Sequence, residues 1–320
     1  MERYKQKEHK KHNFIVFLML ALFIIGLFVY HNVIDLKLQN TQQLEENHLN
    51  GDGVYFNVFT EETRDEIKTG IFSNIDNDTV FYASIQNQGK PRYVSISGYL
   101  NYFQTQLVCM EEGYDCSSIY LEDGANLLIP FKIADPIEKG ANYKFLISLF
   151  LGIDQYECDN QYQSTEHTIS YDFFLKNDPD SDNVELEQYT IDSEILDNDF
   201  SGIMLNTDFT GSELVKLPPY NLKVTAGKMF DLAYRIGNND ASNQTQLILV
   251  TIDYQQVLIN GKNYLLTNSR EGCLSYGTIT LKAPETKGKN EICALVVPDP
   301  NSPTPFFPLE NSCRFTLTTE

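Results

Sequence analysis

The sequence predicts an all-β protein: two tandem β-sandwich domains behind one N-terminal transmembrane helix. Three observations point there. A 17-residue run without charge, Phe14–Tyr30, follows a basic N-terminal stretch. Beyond Gly51 the apolar runs are rich in Val, Ile, Thr, Tyr and Phe and are punctuated by turn residues. A short pattern, Pro-x-x-Lys-Gly-x-Asn, occurs twice, 148 residues apart.

Residues 1–13 carry Arg3, Lys5, Lys7, Lys10 and Lys11 against Glu2 and Glu8. The apolar run after them spans roughly 26 Å as a helix, close to the ~30 Å hydrocarbon core. It is longer than a signal-peptide apolar region, and no small-x-small cleavage site follows it. The five cations before the span place the N-terminus in the cytoplasm. The expectation is a single-pass signal anchor at the plasma membrane with the bulk of the chain extracytoplasmic; a cleaved secretory signal is the alternative. Residues 31–50, polar and Gln/Asn-rich, read as a stalk.

The overall charge of −20 divides across that membrane. The tail of residues 1–13 sums to +3, so the exterior carries −23. A surface that negative repels phosphate backbones, which excludes sequence-independent nucleic-acid binding.

The strand runs are Val80–Ile85, Arg92–Val108, Tyr143–Leu151, Met229–Ile236, Leu247–Ile259 and Glu291–Val297. Several alternate with period two, as in Leu247–Tyr254. Turn residues such as Asn87-Gln88-Gly89-Lys90-Pro91 and Asn260-Gly261-Lys262 separate them. The repeated pattern falls at Pro136–Asn142 and Pro284–Asn290, each between two apolar runs. Leu100–Gln104 answers Ile252–Gln256 at an offset of 152. A period near 150 is too long for a solenoid and signals two copies of one domain. The domain reading is therefore a β-sandwich over residues 51–176, an acidic linker over 177–183 and a second sandwich over 184–320. In strand pattern alone, each copy resembles the immunoglobulin and fibronectin type III class. The chain has no Trp and lacks the Cys…Trp…Cys spacing of antibody domains.

Chemistry is sparse. Of five histidines only His167 falls within a predicted domain, and nothing around it resembles a nucleophile elbow. Phosphate-binding glycine loops and a dinucleotide fingerprint are missing. The expectation is a non-enzymatic protein with no cofactor. It binds another protein or a surface polymer through its loops or sheet edges. The alternatives are a carboxylate-based hydrolase of envelope glycans, which needs only two well-placed acids, and an accessory subunit of a membrane assembly.

Three groups of residues are candidates. Asp178, Asp180 and Asp182 alternate along the joint as the first half of a calcium loop does, although Asn183 stands where the loop Gly belongs. They are candidate calcium ligands, within a window (177–199) holding nine acids and no Lys or Arg. The second group is the end loops. Pro298–Pro308 holds five of twelve prolines with Phe306 and Phe307, and the equivalent Gly152–Thr165 holds Tyr156 and Tyr162. Rigid loops with aromatic anchors suit protein recognition. Thirdly, all six cysteines lie beyond the span, as an oxidising compartment allows. Cys109 with Cys116, and Cys293 with Cys313, are the candidate pairs.

Overall fold

The computed structural model describes residues 53–60, 69–111, 113–160, 166–191, 194–197, 202–208, 218–238, 244–303 and 309–320. The chain divides into two compact units, 1–53 and 54–320, and the second holds the sheets described below. Phe14–Tyr30 and the stalk lie outside the described residues. Among the described residues no helix is long and apolar enough to cross a membrane.

The described chain is nearly all β. In its first half, β1 (Gly53–Thr60), β3 (Phe81–Gln88), β8 (Asn126–Ile133) and β6 (Leu107–Cys109) form an outer sheet in that order. An inner sheet runs β2 (Ile71–Ser73), β10 (Thr168–Lys176), β9 (Tyr143–Leu151), β4 (Arg92–Leu100) and β5 (Phe103–Thr105), with β7 (Ile119–Leu121) also on β4. Between the two sheets lies a core that includes Phe81, Phe131, Phe145 and Phe173.

The second half repeats this plan. Its inner sheet runs β13 (Asn221–Val224), β21 (Phe315–Thr319), β19 (Gly288–Pro298), β15 (Gln244–Ile252) and β16 (Gln255–Gln256). There β17 (Leu265–Ser269) also pairs with β15, and β20 (Glu310–Asn311) with β19. The outer sheet is β11 (Glu194–Asp197), β18 (Cys273–Lys282), β14 (Met229–Asn238) and β12 (Gly202–Asn206). Both inner sheets carry the same parallel edge pair, β2 with β10 and β13 with β21. A second match appears at one edge strand of each outer sheet, Gly53-Val-Tyr-Phe-Asn57 of β1 against Gly202-Ile-Met-Leu-Asn206 of β12.

Two long predicted strands are each broken by a two-residue turn. Asn101-Tyr102 separates β4 from β5, and Asp253-Tyr254 separates β15 from β16, all four at positive φ (48°, 66°, 48° and 64°). Asn and Asp tolerate that region, whereas Tyr there costs roughly 1–2 kcal/mol. The compensation is that both tyrosines are buried with hydrogen-bonded hydroxyls. Neither turn contains the glycine that marks such hairpins in sequence.

The inner sheets are buried on both faces. Along β15, Ile248, Val250 and Ile252 enter the core of the second half, while Leu247 and Leu249 join Tyr99, Leu146, Tyr264, Leu295 and Val297 in a cluster between the halves. This is why β9 and β15 read as nearly continuous apolar runs.

The joint between the halves is fastened. Asn142, the last residue of the first repeat motif, accepts from the amides of Asn177 and Asp178 and donates to the carbonyls of Ser181 and Asn183. Further on, Val184 is buried, Leu186 and Tyr189 pack on the cluster, and Leu266 N donates to Tyr189 O.

Candidate binding surfaces and the contact between the halves

The end loops are used inside the molecule. Gly152–Asn160 follows β9 and ends in a short helix, α1 (Glu157–Asn160). It docks on the second half: Lys289 Nζ lies 5.4 Å over the Tyr156 ring and 2.6 Å from Asp159, and Cys158 N donates to Thr316 Oγ1. Tyr156 is thus half-buried against the neighbouring sheet rather than free at an end loop. Tyr162, Phe306 and Phe307 lie outside the described residues. The described start of the equivalent loop, Asp299–Ser302, reaches the first half in the same way.

Each loop covers a buried ion cluster. In the first half, Lys144 Nζ sits 2.7 Å from Asp172 Oδ2 and also donates to Ser302 O. Tyr102 OH donates to Asp172 Oδ2 at 3.1 Å and to Pro300 O at 3.3 Å. Burial pushes the Asp172 carboxyl above its ordinary range, against the pull of Lys144.

In the second half, Arg314 Nη2 donates to Glu157 Oε1 at 3.0 Å, and Arg314 Nε lies 3.4 Å from Glu291 Oε2. Arg314 Nη1 donates to Leu151 O and to the Tyr254 hydroxyl. Glu157 N closes the ring on Glu291 Oε1 at 3.0 Å. Burial raises Glu291 to about 7, opposed by the Thr316 hydroxyl and Arg314. His167 Nε2 lies 3.3 Å from Glu157 Oε1. Burial, with the charges of Arg314 and Arg92, depresses His167 to about 4, so it is neutral at pH 7.

A direct polar pair bridges the two turns. Gln104 N donates to Gln256 Oε1 at 2.6 Å, and Gln256 N donates to Gln104 Oε1 at 2.7 Å. The two residues are 152 apart, so the exchange is reciprocal between repeat positions. A groove of about 680 Å³ opens elsewhere, among β1, β10, β12 and β20, lined by Phe56, Tyr171, Ile203, Met204, Leu309 and Glu310.

The acidic joint does not gather its carboxylates. Asp178 Oδ1 accepts from Asp180 N, and Asp182 Oδ1 takes Lys176 Nζ at 2.6 Å. Among the described residues no three His, Cys, Asp or Glu side chains are placed to share a metal ion. The structure thus does not bring the side chains of Asp178, Asp180 and Asp182 together: Asp178 caps a turn and Asp182 is held by Lys176.

Cys109 and Cys116 form a disulfide that closes the hairpin end. Cys293 and Cys313 do not pair, and neither they nor Cys158 is in a disulfide. Ser312 N donates to Ala294 O and Ala294 N to Ser312 Oγ, so Ser312 lies opposite Ala294, and the Cys293 thiol turns to the Ser312 carbonyl at 3.7 Å and its hydroxyl at 3.9 Å. Burial pushes the Cys293 thiol up to about 11.

No family model and no curated protein matches the chain. Similar solved structures include the chaperone–tip adhesion subunit complex of the archaic chaperone-usher Csu pili of Acinetobacter baumannii. That match is 8% identical with a TM-score of 0.26, over 71% of this chain and 89% of that one. The periplasmic chaperone SfaE is 9% identical with a TM-score of 0.24, over 84% of this chain and all of that one. The C-terminal domain of the Streptococcus agalactiae AgI/II polypeptide BspA is 10% identical with a TM-score of 0.20, over 83% of this chain and all of that one. Likenesses at these scores carry no argument, so the functional reading rests on this chain's own geometry.

Sequence reasoning missed the two ion clusters. His167 and Glu157 were separated from Arg314 by about 150 residues, and single charged residues inside apolar strands were the only available signal.

Proposed function

We propose that the chain is a membrane-anchored, extracytoplasmic binding or scaffold protein without enzymatic activity. Residues 14–30 form its anchor and its two sandwiches, of immunoglobulin or fibronectin type, meet another protein or a surface polymer. The observation that carries this reading is the contact between the halves. The groups that most resemble catalytic machinery, Glu157, Glu291, Arg314 and His167, are drawn into a clamp between two sheets. Glu157 and Glu291, two carboxylates around one guanidinium, are only 1% and 2% exposed. A glycan does not reach them, which weighs against the hydrolase alternative. The clamp and the shared apolar cluster join the halves into a rigid platform whose outer sheets and edges face solvent.

The test is photo-crosslinking from exposed positions on the outer sheets in intact cells, combined with membrane-impermeant labelling. The reading expects surface labelling of the exterior and discrete crosslinked adducts. Labelling only after permeabilisation overturns the topology; hydrolysis of envelope glycan by the purified full chain overturns the non-enzymatic assignment.

A further inference from the structure

The two outer sheets differ at one strand position. In the second half, β11 pairs antiparallel with the start of β18, Glu194 opposite Tyr276 and Leu196 opposite Leu274. Further along the same edge, Asn260 bonds with Thr280. The first half reproduces only the latter contact, as β6 on the end of β8, Val108 opposite Lys132. At the repeat offset of 148, Tyr276 and Leu274 correspond to Leu128 and Asn126. Among the described residues no strand pairs there.

That open edge is built for pairing. Met110 N donates to Pro130 O, so the backbone groups of the even-numbered residues of β8, including Asn126 and Leu128, point to this side. Beyond Met110 the chain turns away into the loop closed by the Cys109–Cys116 disulfide, leaving the edge uncovered by β6. Three exposed large apolar side chains cluster here: Leu128 at 50%, Met110 at 50% and Val108 at 46%. Cross-strand neighbours continue the stripe, since Pro130 is opposite Tyr82 and Tyr82 stacks on Phe59. The second half has Thr278 opposite Ala233 at that place, and Asn260 in place of Val108. An unpaired edge beside an apolar face is a template for strand addition.

The charge around it names the partner's chemistry. Glu111 directly follows Met110, and Glu122 and Asp123 open the turn leading into β8. We propose that the open edge of β8, Asn126–Ile129, accepts an extended segment of a partner protein, apolar at its centre and flanked by Lys or Arg. The added strand occupies on the first outer sheet the place that β11 occupies on the second. This inference rests on the binding-protein reading above and specifies where that binding occurs.

The probe is a synthetic Lys-Lys-Thr-Val-Thr-Ile-Thr-Lys peptide, with a Glu-for-Lys counterpart, titrated by fluorescence anisotropy against the full-length chain. Hydrogen exchange locates the contact. Expected are binding of the basic peptide, protection of the Asn126 and Leu128 amides, and at least about tenfold weaker binding of the acidic peptide. Leu128→Lys removes an apolar anchor and weakens the basic peptide about tenfold. Glu111→Lys with Glu122→Lys weakens it while favouring the acidic peptide. Met229→Lys, on the second outer sheet, leaves binding unchanged. No binding at millimolar peptide, equal binding of both peptides, or protection on other strands overturns the strand site. Such a failure beside crosslinked adducts mapped elsewhere sinks the site alone; failure with no adduct anywhere sinks the binding-protein reading as well.

Discussion

At equivalent places in the two halves, the buried ion clusters carry their charges in opposite order. Asn101 Oδ1 accepts from Lys144 N, and Asp253 Oδ1 accepts from Glu291 N, so lysine and glutamate occupy the same position beside the turn. On the neighbouring strand the matching residues are Asp172 and Arg314, each two positions before the residue paired with them. Reversal leaves one feature intact. In both clusters a cation hydrogen-bonds backbone carbonyls of the other half, Lys144 that of Ser302 in its loop and Arg314 those of Leu151 and Gly152 where the loop begins. The two halves thus share a cation facing a loop and a Tyr hydroxyl beside the cluster, and differ in the strand that supplies each charge.

The clusters also differ in loading, and substitutions separate them. Arg314 serves two buried carboxylates, so Arg314→Leu leaves both unpaired and is expected to cost about 5 kcal/mol in denaturant unfolding. Lys144 serves one, and Lys144→Met is expected to cost about 3 kcal/mol. Adding Asp172→Leu to Lys144→Met removes the stranded charge and recovers most of that loss. A double variant as unstable as the single one contradicts the assignment of the cost to an unpaired Asp172.

Acid distinguishes the clusters next, because only the second contains a histidine. His167 is held near 4, below its ordinary 6.5, so the unfolded chain binds the extra proton. Its contribution is present above 6.5 and is lost as pH falls towards 4, amounting to roughly 3 kcal/mol. Glu291, raised to about 7, acts in the opposite sense: its contribution is present below 4.5 and is lost as pH rises through 7. In melts between pH 4 and 7, His167→Gln is expected to lose less stability on acidification than the parent, and Glu291→Gln less on the way up. The smallest expected effect concerns the hairpin ends. Reducing Cys109–Cys116 opens a loop of seven-residue separation and costs about 2 kcal/mol, with Cys293 and Cys313 unaffected.

Much of the fold was legible in the amino-acid order because strand formation and turns are local. Val, Ile and Tyr-rich runs and the Lys-Gly turns of the recurring Pro-x-x-Lys-Gly-x-Asn motif mark where the chain extends and where it turns. The Asn-Tyr and Asp-Tyr turns escaped because their positive φ is held by distant partners of the tyrosine hydroxyls, not by a glycine. The candidate site was less legible. Tyr156 reads as a free loop aromatic until Lys289 is placed over it, and Asp182 as a cation ligand until Lys176 takes it.

The sequence by itself determined the β class and the segregation of charge along the chain, and set the expectations of a duplication and of an apolar anchor. Each follows from residue type and spacing. Tertiary structure alone decided that both faces of the inner sheets are covered, and that the end loops clasp the opposite half. It also turned the Cys293 thiol to Ser312 and, among the described residues, left one edge of β8 unpaired. These outcomes depend on register and on partners 20 to 160 residues apart, and no local pattern specifies the geometry at which such partners meet.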